Sequence, residues 1–355
     1  MTANDILIHR LLNQQLTGTK FRQAGELVDH FGAMQAQDYA MVKWAVGLRM
    51  GKTEHDIEQA ISSGEIVRTH VLRPTWHLVA AKDVRWMLEL SAQRIRGAFA
   101  AMSRQLEMDA KFYARCNKII EREVAGKQLT REEIMKTLGK KKIPTNELRS
   151  VFIMMNAELD GIVCNGVMRG KQLTYALLDE KIPPAKKITR QEALAALAKR
   201  YFTSHGPATL HDFSWWSGLS VADAKAGISF VADELESITL DNQTYWFKDC
   251  NIPTRVKQKS IYFLPAFDEF MVSYKDRSLS LELSRTKDAI TNNGIFKPVI
   301  IIDGKVMGLW KRTVKKDTAE VEIQYFSSIK SAQLKAMQAA GRKYGDYIGK
   351  KIVFV

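Results

Sequence analysis

Apolar residues recur at helical spacing through the first 63 residues, and the spacing then changes to that of strands. Four helices are predicted, at 6–12, 23–31, 41–48 and 54–63. Asp38 is placed to cap the third of them, because a short polar side chain can bind free N–H groups at a helix start. Residues 66–80 are rich in β-branched and aromatic side chains and are broken by Pro74, which predicts two strands around a turn.

The same order of elements recurs twice along the chain. In the second copy, helices are predicted at 84–104 and 109–124, a short one from Thr130 with a Thr130–Glu133 capping box, and another at 145–158, with strands on either side of Arg169-Gly170-Lys171. In the third, helices at 191–202, 208–216 and 221–230 precede two strands joined by Asp241-Asn242. Helices that lead into a β-hairpin are the plan of a winged helix. The copies share this plan and not their letters, so the repeat is structural.

The last hundred residues carry more strand signals. Asp303-Gly304 between two apolar runs predicts a tight hairpin, 319–326 alternates like a half-buried strand, and an amphipathic helix precedes a final strand at 351–355. We therefore expect an α+β fold, mainly helical. It is divided into winged-helix units at 1–105, 106–185 and 186–250, and a strand-rich C-terminal region with a basic hairpin at 251–355.

Composition places the chain among ordinary globular proteins, and charge adds a functional indication. Apolar residues make up 46% of the 355, and mean hydropathy is −0.21. The N-terminus lacks the pattern of a signal peptide, and no apolar run is long enough for a membrane span. Three scattered cysteines favour a reducing cytoplasm over a disulfide framework. A net charge of +14 points to a polyanionic partner, with nucleic acid the commonest.

The positive charge is concentrated in predicted turns. Residues 126–200 carry 15 Lys and Arg against 8 acids, and residues 301–355 carry 11 against 5. The candidate DNA-binding cations are Lys140, Lys141 and Lys142 between two short helices, and Lys311, Arg312, Lys315 and Lys316 around a hairpin tip. Turns and wings of this kind meet phosphates in DNA-binding proteins. The alternative is a solvated charged face with no partner.

Two further segments carry polar groups that are candidates for chemistry. Gln35 and Gln37 alternate just before a helix start, so an extended backbone would point both amides the same way. The strands at 66–80 hold Arg68, His70, Arg73 and His77, which could contact a phosphate or a damaged base. The alternative for the histidines is a structural role, bonded to backbone.

Adjacent tryptophans at 215 and 216 cannot both face one core on a helix, because neighbouring residues point about 100° apart. Core packing is the favoured interpretation, with base stacking as the alternative. No spacing of His and Cys is typical of a metal site, and no glycine-rich nucleotide loop is present. We therefore expect neither metal nor cofactor.

Five blocks in fixed order now identify a family. FGAMQAQDYAMVKWAVGLR, RTHVLRPTWHLV, SHGPATLHDFSWWSGL, LPAFDEFMVSYKDR and IDGKVMGLWKR lie between residues 31 and 313. Together they resemble the winged-helix DNA-binding family of AlkZ-like and YcaQ-like bacterial DNA glycosylases. The resemblance implies three tandem winged helices that form a C-shaped basic surface for duplex DNA. It also implies a catalytic Gln-x-Gln or Gln-x-Asp pair, which here is Gln35 and Gln37, with Asp38 as a helix cap.

Relatives in that family excise alkylated purines and unhook DNA crosslinks. The expected function is thus a monofunctional glycosylase that hydrolyses the N-glycosidic bond of N7-type alkylpurines or unhooks crosslinks, acting as a monomer on damaged double-stranded DNA. An N7-alkylated purine is already cationic and leaves readily, so two neutral amides could suffice to place water and stabilise an oxocarbenium-like sugar. Two alternatives stay open: a non-catalytic winged-helix regulator, and a module that binds protein.

Overall fold

The computed structural model describes residues 1–18, 20–146, 148–248, 260–328 and 331–355. The helices are α1 (Ala3–Asn13), α2 (Ala24–Phe31), α3 (Tyr39–Met50), α4 (Glu54–Ser62), α5 (Val84–Gln105), α6 (Ala110–Val124), α7 (Arg131–Lys140), α8 (Arg149–Leu159), α9 (Leu178–Lys181), α10 (Arg190–Ser204), α11 (Leu210–Ser217), α12 (Val221–Ser229), α13 (Glu269–Val272), α14 (Thr286–Ala289) and α15 (Ser331–Ile348).

The strands form mostly antiparallel hairpins and sheets between groups of helices, in the arrangement of an α+β protein. They are β1 (Ala33–Gln35), β2 (Ile66–His70), β3 (Trp76–Ala80), β4 (Leu129–Thr130), β5 (Val163–Arg169), β6 (Gln172–Leu177), β7 (Glu236–Leu240), β8 (Gln243–Phe247), β9 (Ile261–Leu264), β10 (Val299–Ile302), β11 (Lys305–Val314), β12 (Thr318–Tyr325) and β13 (Lys351–Phe354). The expected α+β class is confirmed.

The chain forms two compact units, one from Met1–Glu58 with Leu194–Val355, and the other from Gln59–Ala193. In the first unit, five strands form a sheet in the order β13-β12-β11-β10-β9. Neighbours are antiparallel except β12 and β13, which are parallel. Leu7 and Leu11 of α1 pack into the same buried cluster as Val299 and Ile301 of β10, so the N-terminal helix is part of this core.

Residues Arg190 to Phe247 form a helical segment that ends in a hairpin. Helices α10, α11 and α12 precede the antiparallel pair β7–β8, and Ala208 bridges to Trp246 of β8. Asp241 and Asn242 both have positive φ, as the two-residue turn predicted from their sequence requires.

The unit Gln59–Ala193 contains the hairpin β2–β3 and a second sheet in the order β4-β6-β5. Thr130 and Glu133 form the predicted capping box at the start of α7. The helix predicted from 145 begins instead at Arg149, whose N–H bonds the carbonyl of Asn146. Strands β5 and β6 are joined by the short turn at Gly170, where the sequence predicted it.

The predicted boundaries after 105, 185 and 250 divide the chain by local motif and stay predictions; the last of them and Cys250 lie outside the described residues. Cys116 and Cys164 are buried free thiols, and burial raises their pKa to about 11 and about 12. Both are therefore unreactive at neutral pH. Within the described ranges, no helix combines the length and the apolar character that a membrane crossing needs.

Candidate functional site

The Gln35–Gln37 segment joins strand β1 to helix α3. β1 ends at Gln35, Ala36 is fully buried, and the backbone bends at Gln37. Gln35 is only 7% exposed, whereas Gln37 is exposed and its side chain makes no hydrogen bond to any described residue. The expectation that both amides point the same way is therefore corrected, since the extended backbone it assumed stops at Gln35. Gln37 alone presents its amide to solvent.

A buried carboxylate accepts a hydrogen bond from the backbone of this segment. Glu269, the first residue of α13, accepts the backbone N–H of Gln35 on Oε1 at 2.6 Å. Its other oxygen accepts the indole N–H of Trp216 at 2.9 Å and the hydroxyl of Ser273 at 2.6 Å. His205 Nε2 lies 3.4 Å from the same oxygen. One fully enclosed carboxylate thus ties β1 to α11 and α13.

The charge state of Glu269 follows from these contacts. Burial alone raises the pKa of a carboxyl, but His205, the Ser273 hydroxyl and the Gln35 N–H outweigh it and lower the pKa of Glu269 below its ordinary value. Burial lowers the pKa of His205. Glu269 is therefore an anion at neutral pH, which suits a group that accepts three donors.

Helix α3 is fixed at both ends, so Gln37 leads into a rigid element. At the start, Asp38 accepts the N–H of Met41 at 3.0 Å, which confirms the predicted cap. In the last turn, Arg49 donates two hydrogen bonds of 2.9 Å to the two carboxylate oxygens of Asp268, and neither side chain has any exposed surface. Asp268 in turn accepts the N–H of Phe270 and caps α13.

A lysine near Gln37 along the chain is neutralised by carboxylates of α4. Lys43 Nζ lies 2.9 Å from Glu54 and 2.8 Å from Glu58, and Glu58 also accepts the hydroxyl of Tyr39 at 2.9 Å. Burial alone lowers the pKa of Lys43, but its hydrogen bonds to both glutamates outweigh that effect and raise the pKa. Lys43 therefore stays protonated and is a poor nucleophile.

The basic hairpin lies in the same unit as Gln37. Arg312 of β11 places Nη1 2.9 Å from the sulfur of Met41 in the first turn of α3, with its guanidinium over the ring of Tyr344. The base of the hairpin therefore contacts the helix that Gln37 precedes. Lys311 and Lys315 are exposed and paired with Glu322 and Glu320 of β12. Lys316 is exposed at the tip.

In the unit Gln59–Ala193, the candidate residues on β2 turn inward. Glu158 of α8 is fully buried and accepts the backbone N–H of His70 at 3.2 Å, the imidazole Nδ1 of His70, and the indole N–H of Trp76 at 3.4 Å. Arg68 donates to Asn165 and lies 4.5 Å over the ring of Trp76. Arg68 and His70 are each 4% exposed, so most of their surface serves this cluster.

The remaining candidates of this unit fall into two groups. His77 is fully buried with Nδ1 2.9 Å from the carbonyl oxygen of Thr75, and Arg73 is half-buried in the loop between β2 and β3. The second group consists of three exposed lysines at the end of α7 and in the turn after it, Lys140, Lys141 and Lys142. None of them forms an ion pair with a described residue.

Sequence reasoning missed Asp268, Glu269, Arg49 and Glu158. A usable signal was present for two of them, because adjacent acids inside the apolar run FDEFMV are expected to be buried and hence paired. In the described part of the chain, no group of three or more His, Cys, Asp and Glu side chains is arranged to hold a metal ion. The strongest candidate site in the first unit is Gln37, which is exposed and lies two residues after a strand end bound by a buried carboxylate.

Comparisons with known proteins point to one family. A family model for AlkZ-like DNA glycosylases matches residues 28–347. The interstrand DNA cross-link repair glycosylase of Streptomyces sahachiroi is 21% identical over 317 residues, which cover 85% of each chain. The solved structure of the DNA glycosylase AlkZ from the same organism superimposes with a TM-score of 0.82 at 19% identity, covering both chains completely. At that identity the structural match establishes the fold.

Proposed function

Because the chain belongs to the AlkZ-like DNA glycosylase family, we propose that it is a monofunctional glycosylase that releases N7-alkylated purines from duplex DNA or unhooks DNA crosslinks. The observation that carries this proposal is the exposed amide of Gln37 on a segment whose backbone is fixed by Glu269. The Streptomyces relative named for crosslink repair supports the choice of substrate class.

The proposed reaction requires that the attacking water and the sugar be correctly placed, and it does not require a strong base. An N7-alkylated purine carries positive charge, so its glycosidic bond breaks through an oxocarbenium-like state without strong acid catalysis. The carbonyl oxygen of Gln37 accepts a hydrogen bond from the attacking water, and the amide N–H₂ donates to the sugar or its oxygen substituents. We assign Gln35 to the wall of the site, because its side chain is buried.

The lysine near the site supports a monofunctional reaction. A glycosylase that also cleaves the DNA strand uses an amine to form a Schiff base with the sugar, and such an amine must lose its proton. Lys43 is paired with Glu54 and Glu58, which raise its pKa and oppose that step. Hydrolysis that leaves an abasic site is therefore the expected outcome.

We propose that the protein binds duplex DNA through winged-helix units. In 110–177, α6, β4, α7 and α8 are followed by the hairpin β5–β6, in a sheet of order β4-β6-β5. In 190–247, three helices and the hairpin β7–β8 follow the same order, with Ala208 in the place of the short first strand. Residues 24–80 run α, β, α, α, β, β along the chain as well. This order of elements supports three winged-helix units.

The proposed phosphate contacts are six exposed lysines and the half-buried Arg312. Lys140, Lys141 and Lys142 occupy the turn between the two short helices of one such unit, and Lys311, Arg312, Lys315 and Lys316 lie on the β11–β12 hairpin. Arg73 is kept as a candidate. Arg68, His70 and His77 are not used in the proposal, because their side chains serve buried contacts.

A base-release assay on duplex DNA that contains one N7-methylguanine tests the proposal. We expect the wild-type chain to release the base and leave an abasic site, and Gln37→Ala to slow release by about a hundredfold or more while DNA binding is retained. Gln93→Ala, at an exposed glutamine of α5 that lies outside the three proposed winged-helix segments, is the matched control and should keep the wild-type rate. Tight DNA binding with no release from any alkylated duplex would favour a non-catalytic regulator instead.

A further inference from the structure

We propose that Glu269 is a positioning residue for base release, which fixes the Gln35–Gln37 segment so that the Gln37 amide meets the deoxyribose. The inference rests on the proposed function and adds a residue that acts through the backbone, without touching substrate. It starts from the way the two oxygens of Glu269 are used. Oε1 accepts the Gln35 N–H, whereas Oε2 accepts from Trp216 and Ser273.

Only a carboxylate satisfies this set of donors. Three N–H or O–H groups converge on Glu269, and each needs an acceptor because the whole group is enclosed. A glutamine at 269 has one acceptor oxygen and one N–H₂ group, so it would place a donor against at least one of the three. The replacement is nearly the same shape, and it disturbs the hydrogen bonds more than the packing.

The contact is well placed to govern Gln37. Gln35 lies two residues before Gln37, and Ala36 between them is fully buried, which limits how the segment can move. On the far side, Asp38 caps α3 and fixes the next residues. Removal of the Glu269 bond therefore shifts the strand end from which the Gln37 backbone emerges. Misplacing a reacting group by about 1 Å can cost about a hundredfold in rate.

Glu158 provides a matched control. It is also fully buried, and it also accepts a backbone N–H and an indole N–H, from His70 and Trp76. Its backbone partner leads to no exposed amide, so Glu158→Gln applies a similar change in hydrogen bonding to a strand end that carries no candidate site residue. A general loss of folding would therefore appear in both variants, and a positioning effect in only one.

The test measures single-turnover release of N7-methylguanine at saturating protein, the Kd for the same duplex, and the urea midpoint, for Glu269→Gln and Glu158→Gln. We expect Glu269→Gln to slow release by at least about tenfold with the Kd within about twofold of wild type. Glu158→Gln should change the rate per folded molecule by less than about twofold. In a Gln37→Ala background, Glu269→Gln should cause no further slowing, because both changes act on one group.

Three results would overturn the inference. Glu269→Gln could keep the wild-type rate, it could slow release by the same factor in the Gln37→Ala background, or Glu158→Gln could slow release equally. Absence of release by the wild-type chain is a different result. It removes the proposed function itself, and the inference falls with it.

Discussion

Two buried glutamates, one in each unit, make nearly the same set of contacts. Glu269 and Glu158 each accept a backbone N–H from the last residue of a strand, Gln35 of β1 and His70 of β2. Each also accepts an indole N–H and lies beside an imidazole. Glu269 and Glu158 therefore cannot be distinguished by how deeply they are buried or by which types of group they bind.

They differ in what the held backbone carries. At Glu158 the imidazole belongs to the same residue whose N–H is bound, and His70 forms a cluster with Arg68, which is buried, and Trp76, which is half-buried. At Glu269 the held strand end leads within two residues to an exposed amide, that of Gln37. We interpret the first arrangement as structural and the second as support for a site.

The largest expected effect is on stability at the Glu158 cluster. Glu158→Ala should lower the free energy of unfolding by about 3–5 kcal/mol, because it leaves the His70 imidazole, its N–H and the Trp76 indole without their acceptor. Urea denaturation measures the loss. A loss under about 1 kcal/mol would contradict the interpretation of the Glu158 cluster as structural.

Acidification should weaken the unit that contains Glu269. Burial lowers the pKa of His30 to about 4, against an ordinary value of 6.5, although its hydrogen bond to the carbonyl of Asn13 opposes the change. Because the pKa of His30 is lower in the folded state than in the unfolded state, protonation favours the unfolded state. The contribution of neutral His30 to the free energy of unfolding is therefore complete above pH 6.5 and is lost as the pH falls towards 4. The shift corresponds to about 3 kcal/mol.

His30→Gln tests that assignment, because a glutamine can donate to the same carbonyl and does not titrate. The free energy of unfolding, measured by urea between pH 7 and 4, should fall less steeply in the variant than in the wild type. Parallel curves would contradict the assignment.

The two indoles allow a direct comparison of the carboxylates. Trp216→Phe removes a 2.9 Å hydrogen bond to Glu269, and Trp76→Phe removes a 3.4 Å contact to Glu158. We expect losses of about 2 and about 1 kcal/mol in the free energy of unfolding, since a short bond to a buried charge is the stronger. Equal losses would mean that the distances do not reflect bond strength here.

The smallest expected effect concerns the individual lysines that are proposed to contact DNA phosphates. Lys140, Lys141 and Lys142 have no ion pair with a described residue, whereas Lys311 and Lys315 are paired with glutamates. Alanine at the first three should reduce the slope of log affinity against log salt by about 0.9 for each phosphate that is no longer neutralised, and alanine at the paired two by less. Fluorescence anisotropy with duplex DNA over a salt series measures both slopes. The reverse order would exclude the turn after α7 from the interface.

Much of the fold could be predicted because its signals are local. The cap at Asp38, the capping box of Thr130 with Glu133, and the Asp303-Gly304 hairpin each depend on residues within four positions of one another. The adjacent tryptophans also behave as helical geometry requires: Trp216 is fully buried, and Trp215 is 43% exposed.

The site was less predictable because its contacts span long distances along the chain. Glu269 is 234 residues from Gln35, and Glu158 is 88 from His70, so no spacing rule connects them. Alternation alone could therefore suggest a pair of matched amides, and only the fold shows that Gln37 is exposed and Gln35 enclosed.

The most direct test of the central claim is leaving-group selectivity at the neutral Gln37 site. Single-turnover release should be measured on two duplexes of identical sequence, one with N7-methylguanine and one with uracil at the same position. If the Gln37 amide acts as proposed, without strong acid or base catalysis, the protein should release the cationic base and leave uracil in place. Release of uracil at a comparable rate would contradict the account.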